Sequence, residues 1–189
     1  VTNCPMVVSY EVTLSCNCNC HHCDLGGVIK DEKQITPEEY RYLTQRLNPL
    51  SAQISGGEPL LRKDIADIVE AIRQAGVKYT ILVTNGALLN ESNYLKLREA
   101  GVNQFSGSLD FPDERHDEFR RRPGLYKRLD QTLPRLAKLG FRDIILNTAI
   151  TKANLREILP LARKATEWGV DISYSAYTAL RTGNGEYCL

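Results

Sequence analysis

The sequence predicts an α/β fold in which six parallel strands alternate with helices. The first observation behind this prediction is an internal repeat, in which a helix-like stretch leads through a glycine and an apolar residue into a β-rich run. The four copies read RQAGVKYTILVT, REAGVNQFSGSL, AKLGFRDIILNT and TEWGVDISYSAY. The second observation is a pair of earlier units, because the strand-like MVVSYEVTL precedes one predicted helix and SAQIS precedes another.

Each element has its own local signal. The first helix, in ITPEEYRYLTQRL, opens with a capping box formed by Thr36 and Glu39, with Pro37 at its first position. The second helix, in LRKDIADIVEAIRQAG, carries one apolar stripe. The repeat predicts strands near 79–84, 103–109, 143–149 and 171–177, which are rich in Val, Ile, Tyr, Phe and Thr. The preceding glycines stand where helices end in left-handed caps, and they are Gly76, Gly101, Gly140 and Gly169.

The length favours a partial barrel. A closed eight-stranded α/β barrel takes ~250 residues, so this chain of 189 residues holds about three quarters of one. We therefore predict one domain, over residues 1–189, that forms a partial (β/α)6 barrel with parallel strands. An open doubly wound sheet is the alternative. Both arrangements place ligands at the carboxyl ends of the strands.

Composition gives no indication of a nucleic-acid or membrane partner. Lys and Arg number 24 against 23 Asp and Glu, and a net charge of +1 gives no reason to expect nucleic acid or an anionic membrane as a partner. The run from Arg120 to Arg122 is the one basic cluster, and such runs are usually solvated. We find no apolar run of transmembrane length and no basic-then-apolar stretch at the start of this sequence, so we expect no membrane span. Four of the six cysteines lie too close together to join distant parts of a fold, which indicates a reduced, cytoplasmic, metal-binding role.

Polar, small or metal-binding residues follow every predicted strand, whereas the strand bodies are apolar. In chain order these segments are CNCNCHHC (16–23), SGGEPLL (55–61), TNG (84–86), SLD (108–110), Asn147 with Thr148, and the stretch from Tyr174 to Tyr177. Each has a structural explanation when taken alone, such as a turn or a helix cap. Their convergence on one face of the sheet favours a catalytic site.

The cysteine loop, residues 16–23, carries the most specific signal. Cys16, Cys20 and Cys23 form a C-x3-C-x2-C pattern, and three thiolates would leave one iron of a four-iron cluster without a protein ligand. A structural zinc site is the alternative, because Cys20 and Cys23 with one of Cys16, Cys18, His21 or His22 would supply ligands. Zinc ribbons and knuckles are small and self-contained, so the position of the loop after a βα-repeat strand favours the cluster.

These motifs resemble the radical S-adenosylmethionine (SAM) superfamily. Its signature is C-x3-C-x2-C after the first strand of a partial TIM-type barrel, followed by a GGE-type motif after the second, here GGEPL from Gly56. The segments LVTNGALLN, SLDFPDERHDEFRRRPGLY and LNTAITKANL are similar to later units of the branch that includes the molybdenum-cofactor cyclase and the peptide-maturing enzymes. Members of this branch usually carry a C-terminal extension, which we expect this chain to lack.

The resemblance implies roles for individual residues. It implies that Cys16, Cys20 and Cys23 bind a 4Fe-4S cluster and that His22 lies beside the adenine of SAM. The residues implied to contact the rest of SAM are Gly56, Gly57 and Glu58 at the methionyl amino group, Ser108 and Arg120 at the carboxylate, and Asn147 at the ribose. Thr84, Asn85 and Asp110 line the same face, and Cys18 is expected to be a bystander.

The implied activity is reductive cleavage of SAM to a 5′-deoxyadenosyl radical that abstracts hydrogen from an unknown substrate. The protein then positions the cofactor and excludes water. A reductant such as flavodoxin or ferredoxin would supply the electron. An iron–sulfur electron-transfer module without SAM chemistry is the alternative, although such a module has no need of a GGE motif. Tyr174, Tyr177 and Arg181 follow the sixth strand and are candidates to face the substrate, with a role in packing or at the surface as the alternative. Residues 24–34 are a candidate cover over the cluster.

Overall fold

The computed structural model describes residues 4–27, 33–180 and 182–189. Six parallel strands form one sheet in the order β1-β2-β3-β4-β5-β6. The strands are β1 (Val7–Glu11), β2 (Ser51–Ser55), β3 (Tyr79–Thr84), β4 (Gln104–Ser108), β5 (Ile144–Ile150) and β6 (Asp171–Ala176). The α-helices are α1 (Pro37–Leu47), α2 (Ile65–Gln74), α3 (Glu91–Ala100), α4 (Arg115–Arg120), α5 (Leu125–Ala137) and α6 (Ile158–Trp168).

The strand order decides between the two predicted architectures. Each strand pairs in parallel with the next one along the chain, from β1 with β2 to β5 with β6. A doubly wound sheet would reverse its order at a switch point, whereas a barrel adds strands in sequence. The partial (β/α)6 barrel is therefore confirmed, and the doubly wound alternative is wrong.

The local signals act as predicted. The Thr36 side chain accepts a hydrogen bond from the Glu39 amide at 3.3 Å, and the Glu39 carboxylate accepts one from the Thr36 amide at 2.8 Å. The four repeat glycines have positive φ values, which residues with a Cβ rarely adopt, and these are 107°, 130°, 81° and 71° at Gly76, Gly101, Gly140 and Gly169. Each glycine lets the chain leave a helix and enter the following strand.

The core lies between the sheet and its helices. Alternate residues of β3 and β5 are buried, because successive side chains of a strand point to opposite faces. Fully buried side chains such as Ile54 and Leu82 on the strands meet Ile68, Ile72 and Leu129 on the helices. The strands are thereby fixed with their carboxyl ends along one edge, where the site lies.

Along the three described ranges, no helix combines the length and the apolar character that a membrane crossing requires.

Candidate active site

One cavity of about 150 Å³ lies at the carboxyl ends of the first four strands. Four successive βα loops contribute to its wall, as the convergence of polar residues predicts. It is lined by Cys16, Cys18, Cys20, His22, Cys23, Ser55, Gly56, Gly57, Val83, Thr84, Asn85, Ser108 and Arg120. Of the predicted site residues, only Glu58, Asp110 and Asn147 are missing from this wall. A larger cavity, of about 330 Å³, lies at the opposite edge of the sheet around Ile144 and Asp171 and takes in none of these residues.

The cysteine loop presents its thiols to this cavity. Cys18 and Cys20 are buried, Cys16 is half-buried and Cys23 is exposed, and all are free thiols. The pKa of Cys16 is lowered to about 6 and that of Cys20 to about 7, mainly by hydrogen bonding from the Cys18 thiol and to a smaller extent by the Arg120 charge. The pKa of Cys18 is raised, because its proton serves both neighbouring sulfurs. Cys16 and Cys20 are therefore the sulfurs best prepared to act as thiolates.

The cysteine loop rests on the end of α4. The Asn19 amide donates to the Arg120 carbonyl at 3.2 Å, and the His21 amide donates to the Phe119 carbonyl at 3.0 Å. Arg122 Nη1 donates to the Asn17 carbonyl at 2.6 Å. The interpretation of the Arg120–Arg122 run as a solvated face holds for Arg121, which is exposed, but is wrong for Arg120, which is buried, and for Arg122, which is half-buried and binds the loop.

The Gly56–Gly57 segment packs backbone to backbone against residues 13–15. The Gly57 amide donates to the Thr13 carbonyl at 2.7 Å, and the Glu58 amide donates to the Ser15 carbonyl at 2.8 Å. A Cβ on Gly57 would lie 2.1 Å from the Ser15 oxygen, and one on Gly56 would lie 2.3 Å from the Thr13 oxygen. We expected glycine at these positions because a ligand approaches closely. The structure adds a second reason, because the loop after β1 occupies the side where a Cβ would point.

Glu58 differs from its predicted place. Its side chain is fully buried, and its carboxylate accepts hydrogen bonds from Thr84 Oγ1 at 2.7 Å, the Asn85 amide at 2.7 Å and the Leu60 amide at 3.0 Å. Burial raises the pKa of Glu58 to about 7. With three donors already bound, the carboxylate joins the loop after β2 to the end of β3 and does not reach the cavity wall.

Asp110 also lies behind the wall. Arg120 Nε donates to Asp110 Oδ2 at 2.7 Å, and the Ala149 amide donates to Asp110 Oδ1 at 3.2 Å. Burial alone would raise the pKa of Asp110, but the adjacent Arg120 charge holds it below its ordinary value. Asp110 therefore fixes the guanidinium of Arg120, which is the group that lines the cavity.

His22 lies on the aromatic side of the cavity. Its ring stacks on Phe119 with a centroid distance of 4.9 Å and an interplanar angle of 10°, and the Tyr177 ring meets it edge-on at 6.0 Å. Burial lowers the pKa of His22 to about 4, so the ring is neutral near pH 7. A neutral, stacked ring suits the predicted place beside a nucleobase.

The sequence profile of the Radical SAM superfamily matches residues 10–172. The chain belongs to the Radical SAM superfamily. Members of this superfamily use a 4Fe-4S cluster and SAM, so the predicted pair of cofactors is confirmed at the level of the family. The comparisons give no support to an electron-transfer module without SAM chemistry.

Relatives of this radical SAM chain agree with the predicted branch. An AdoMet-dependent heme synthase of Methanosarcina barkeri is 34% identical over 191 residues, which cover 98% of this chain and 54% of the relative. A probable GTP 3′,8-cyclase of Methanocaldococcus jannaschii is 36% identical over 155 residues, which cover 80% of this chain and 46% of the relative. The chain thus spans about half the length of the curated relatives it matches.

Two solved structures with bound S-adenosylmethionine share the fold. SuiB of Streptococcus suis bound to S-adenosylmethionine superimposes with a TM-score of 0.78 over 94% of this chain and 42% of that chain, at 23% identity. The AdoMet-bound anSMEcpe gives a TM-score of 0.69 over 90% of this chain and 50% of that chain, at 21% identity. At these identities the likeness establishes the arrangement of strands and helices.

The residues present fit the two radical SAM cofactors. Among the described residues, four buried side-chain polar atoms have no hydrogen-bond partner, and these are Asn17 Nδ2, His22 Nδ1, His116 Nε2 and Asn147 Oδ1. Asn147 pairs in register with Ser108, which lines the cavity, so its free oxygen is next to the wall. In the part of the chain that the structure describes, no three thiol, imidazole or carboxylate groups gather around a single metal ion. A four-iron cluster takes each thiolate on a different iron, so ligands spread around a shared cavity suit it.

Sequence reasoning gave no role to Phe119 or Arg122, although both lie in the segment SLDFPDERHDEFRRRPGLY, because the resemblance assigns contacts only to other residues of that segment. Of the residues expected to face the substrate, Tyr177 contacts His22, whereas the Tyr174 hydroxyl donates to the Ile158 carbonyl at 2.6 Å on the helix side of β6. Arg181 and part of the expected cover, residues 28–32, lie outside the described residues.

Proposed function

We propose that this chain is the SAM-binding core of an enzyme that begins its reaction by reductive cleavage of SAM. When bound, the 4Fe-4S cluster and SAM would together supply a 5′-deoxyadenosyl radical that abstracts hydrogen from the substrate. One observation carries this proposal: Cys16, Cys20 and Cys23 face the same cavity as Gly57 and Arg120. A module that only carried electrons would not need a cavity that joins these groups.

The polar end of the cavity would hold the methionine part of SAM. The cluster would be held by Cys16, Cys20 and Cys23, and two of these thiols already have lowered pKa values. Arg120 would pair with the methionine carboxylate, because its guanidinium lines the cavity and is fixed from behind by Asp110. Gly56 and Gly57 would offer backbone carbonyls to the amino group.

Some of the remaining predicted residues would contact SAM directly, and others would hold the residues of the cavity wall in place. Ser108 would contact the carboxylate together with Arg120, and His22 and Asn147 would contact the adenine and the ribose through atoms that have no partner in the described structure. Thr84 and Asn85 line the cavity and donate hydrogen bonds to the Glu58 carboxylate. Glu58 and Asp110 would act by fixing these wall residues and not by touching SAM.

We further infer a reducing compartment, the cytoplasm, because the described cysteines are free thiols and the cluster needs three of them. A small redox protein of the flavodoxin or ferredoxin type would supply the electron. The relatives are named for heme synthesis and for GTP cyclisation, two reactions with unrelated substrates. We therefore propose hydrogen abstraction without assigning one substrate.

The test is anaerobic. The protein is reconstituted with iron and sulfide, dithionite and SAM are added, and 5′-deoxyadenosine is quantified. We expect the product from the wild-type protein and from Cys18→Ala, and none from Cys20→Ala. Cys188→Ala serves as a matched control, since Cys188 lies outside the cysteine loop. An intact four-iron cluster that gives no 5′-deoxyadenosine, and whose EPR signal does not change with SAM, would contradict the proposal.

A further inference from the structure

We propose that Arg122 is a positioning residue that holds the cysteine loop in its ligand-presenting conformation before any cluster is present. The inference rests on the proposed function, because it concerns how the loop is prepared for the cluster. It starts from the segment 119–122, which we call the α4 turn. Residues of the α4 turn make three hydrogen bonds to the backbone of the cysteine loop.

The three bonds fall between the cysteines. The α4 turn contacts the backbone of Asn17, Asn19 and His21, and these positions alternate with Cys18 and Cys20. The bonds at Asn19 and His21 are main-chain hydrogen bonds, at 3.2 and 3.0 Å. Because every second residue of the loop is tied to the turn, the cysteines between them have little freedom to rotate away from the cavity.

Arg122 makes the strongest of the three bonds. Its Nη1 lies 2.6 Å from the Asn17 carbonyl oxygen, and hydrogen bonds from a charged donor are about twice as strong as neutral ones. Asn17 directly follows Cys16, so this bond fixes the first cluster ligand. Arg122 and Asn17 are 105 residues apart in sequence, so the bond joins the loop after β1 to the turn after α4.

The α4 turn is itself rigid. Arg121 has a left-handed φ of 48°, which costs free energy for a residue with a side chain and persists only where neighbours hold it. Asp117 supplies that support, because its carboxylate accepts from the amides of Gly124 at 2.5 Å and Tyr126 at 2.6 Å, and its carbonyl accepts from the Arg122 amide at 2.9 Å. The α4 turn is thus a firm platform from which Arg122 reaches the loop.

The platform also carries a wall residue. Arg120 lines the cavity and is held by Asp110, and its own carbonyl accepts from the Asn19 amide. The α4 turn therefore sets the distance between the group proposed for the SAM carboxylate and the thiols proposed for the cluster. Loosening Arg122 would disturb both.

The test uses the metal-free, reduced protein and measures hydrogen exchange of the Asn19 and His21 amides. Arg122→Met keeps the length of the side chain and removes its donors, and Arg122→Lys restores a charged donor. Arg128→Met is the matched control, because Arg128 Nη2 also donates to a backbone carbonyl, that of Leu89 at 3.4 Å, away from the loop. Exchange of amides in β2 and β3 reports whether each variant is folded.

We expect the two amides to exchange about tenfold faster or more in Arg122→Met, since a hydrogen bond to a charged group is lost. Arg122→Lys should recover much of the protection, and Arg128→Met should match the wild type. After reconstitution, iron should leave Arg122→Met faster in the presence of a chelator, with recovery in Arg122→Lys.

Unchanged exchange at Asn19 and His21 in a folded Arg122→Met protein would overturn the inference. Equal loss of protection in Arg128→Met would overturn it too, because the effect would then be general. Neither result depends on SAM cleavage. The inference and the proposed function can therefore fail separately.

Discussion

Replacing Glu58 with glutamine tests whether this carboxylate acts as a buried support. The wild-type side chain is fully buried, and its two oxygens accept from Thr84 Oγ1, the Asn85 amide and the Leu60 amide. Glutamine keeps the shape and removes the charge. Its NH₂ group must face at least one of these donors, which leaves a buried donor without an acceptor.

The substitution changes the free energy of unfolding in two ways, and the two differ in how they depend on pH. The unmatched donor costs about 1–3 kcal/mol at every pH. Burial raises the pKa of Glu58 from 4.5 to about 7 in the folded state, so the folded protein binds more protons than the unfolded chain between these values. The associated stability is fully present below pH 4.5 and is lost as the pH rises through about 7. This loss amounts to about 3 kcal/mol, at about 1.4 kcal/mol per pH unit.

We therefore expect the substitution to change how steeply the free energy of unfolding depends on pH. Glu58→Gln should be less stable than the wild type near pH 5, and the difference should shrink or reverse toward about pH 8, since the amide does not titrate. The assay is urea unfolding of the metal-free, reduced protein across this range. Glu70→Gln, on the exposed face of α2, is the control and should shift stability little.

A difference in stability that stayed constant with pH would refute the reasoning. It would mean that Glu58 titrates alike in the folded and unfolded states. The carboxylate would then have access to water, and its assignment as a buried support behind the cavity wall would have to be withdrawn.

Two further predictions concern the wall and its support. Gly57→Ala places a Cβ 2.1 Å from the Ser15 oxygen and must displace the β1 loop, so the reconstituted protein should retain less iron. Gly185→Ala, where a Cβ meets nothing within 4 Å, should retain the wild-type amount, and equal iron in both variants would contradict this prediction. Asp110→Asn leaves the buried Arg120 charge unpaired and should cost about 3–5 kcal/mol in urea unfolding. Because the folded pKa of Asp110 is lowered, that cost should shrink as the pH falls toward the range where the wild-type carboxylate is protonated, and a cost that grew instead would show the argument to be wrong.

The strands could be predicted from sequence because their signals are local. The predicted segment 79–84 coincides with β3 (Tyr79–Thr84), and 143–149 is displaced by one residue from β5 (Ile144–Ile150). In both cases a glycine with positive φ ends the preceding helical segment, and β-branched or aromatic residues follow it. Neither feature depends on what the rest of the chain does.

The cavity wall could also be predicted, for a topological reason. Parallel strands joined by right-handed crossovers bring their carboxyl ends to one edge, so residues that directly follow a strand must come together. Cys20, Gly57, Asn85 and Ser108 share one cavity for this reason, although they are spread over nearly half of the chain. The prediction needed the order of the elements and no knowledge of side-chain contacts.

The orientation of Glu58 and Asp110 could not be predicted in this way. Both lie within two residues of a wall residue in sequence, yet neither carboxylate lines the cavity, and each accepts hydrogen bonds from other elements. For Glu58 these are Thr84 and the Asn85 amide, at the end of the next strand. A motif specifies that a carboxylate is present, but the distribution of buried donors decides which way it points.

The arginine run shows the same limit more sharply, because the three side chains have three different partners. Arg120 pairs with Asp110, Arg121 contacts His21 and Arg122 binds the Asn17 carbonyl, and two of these partners are about a hundred residues away. A local charge pattern predicts solvation because most such runs have no acidic or carbonyl partner nearby. Here the left-handed residue Arg121 lets consecutive side chains diverge, so one short turn can serve the cavity, the loop surface and the loop backbone at once. The roles of Arg120, Arg121 and Arg122 therefore depend on the geometry of this turn, which the spacing of residues in the sequence does not show.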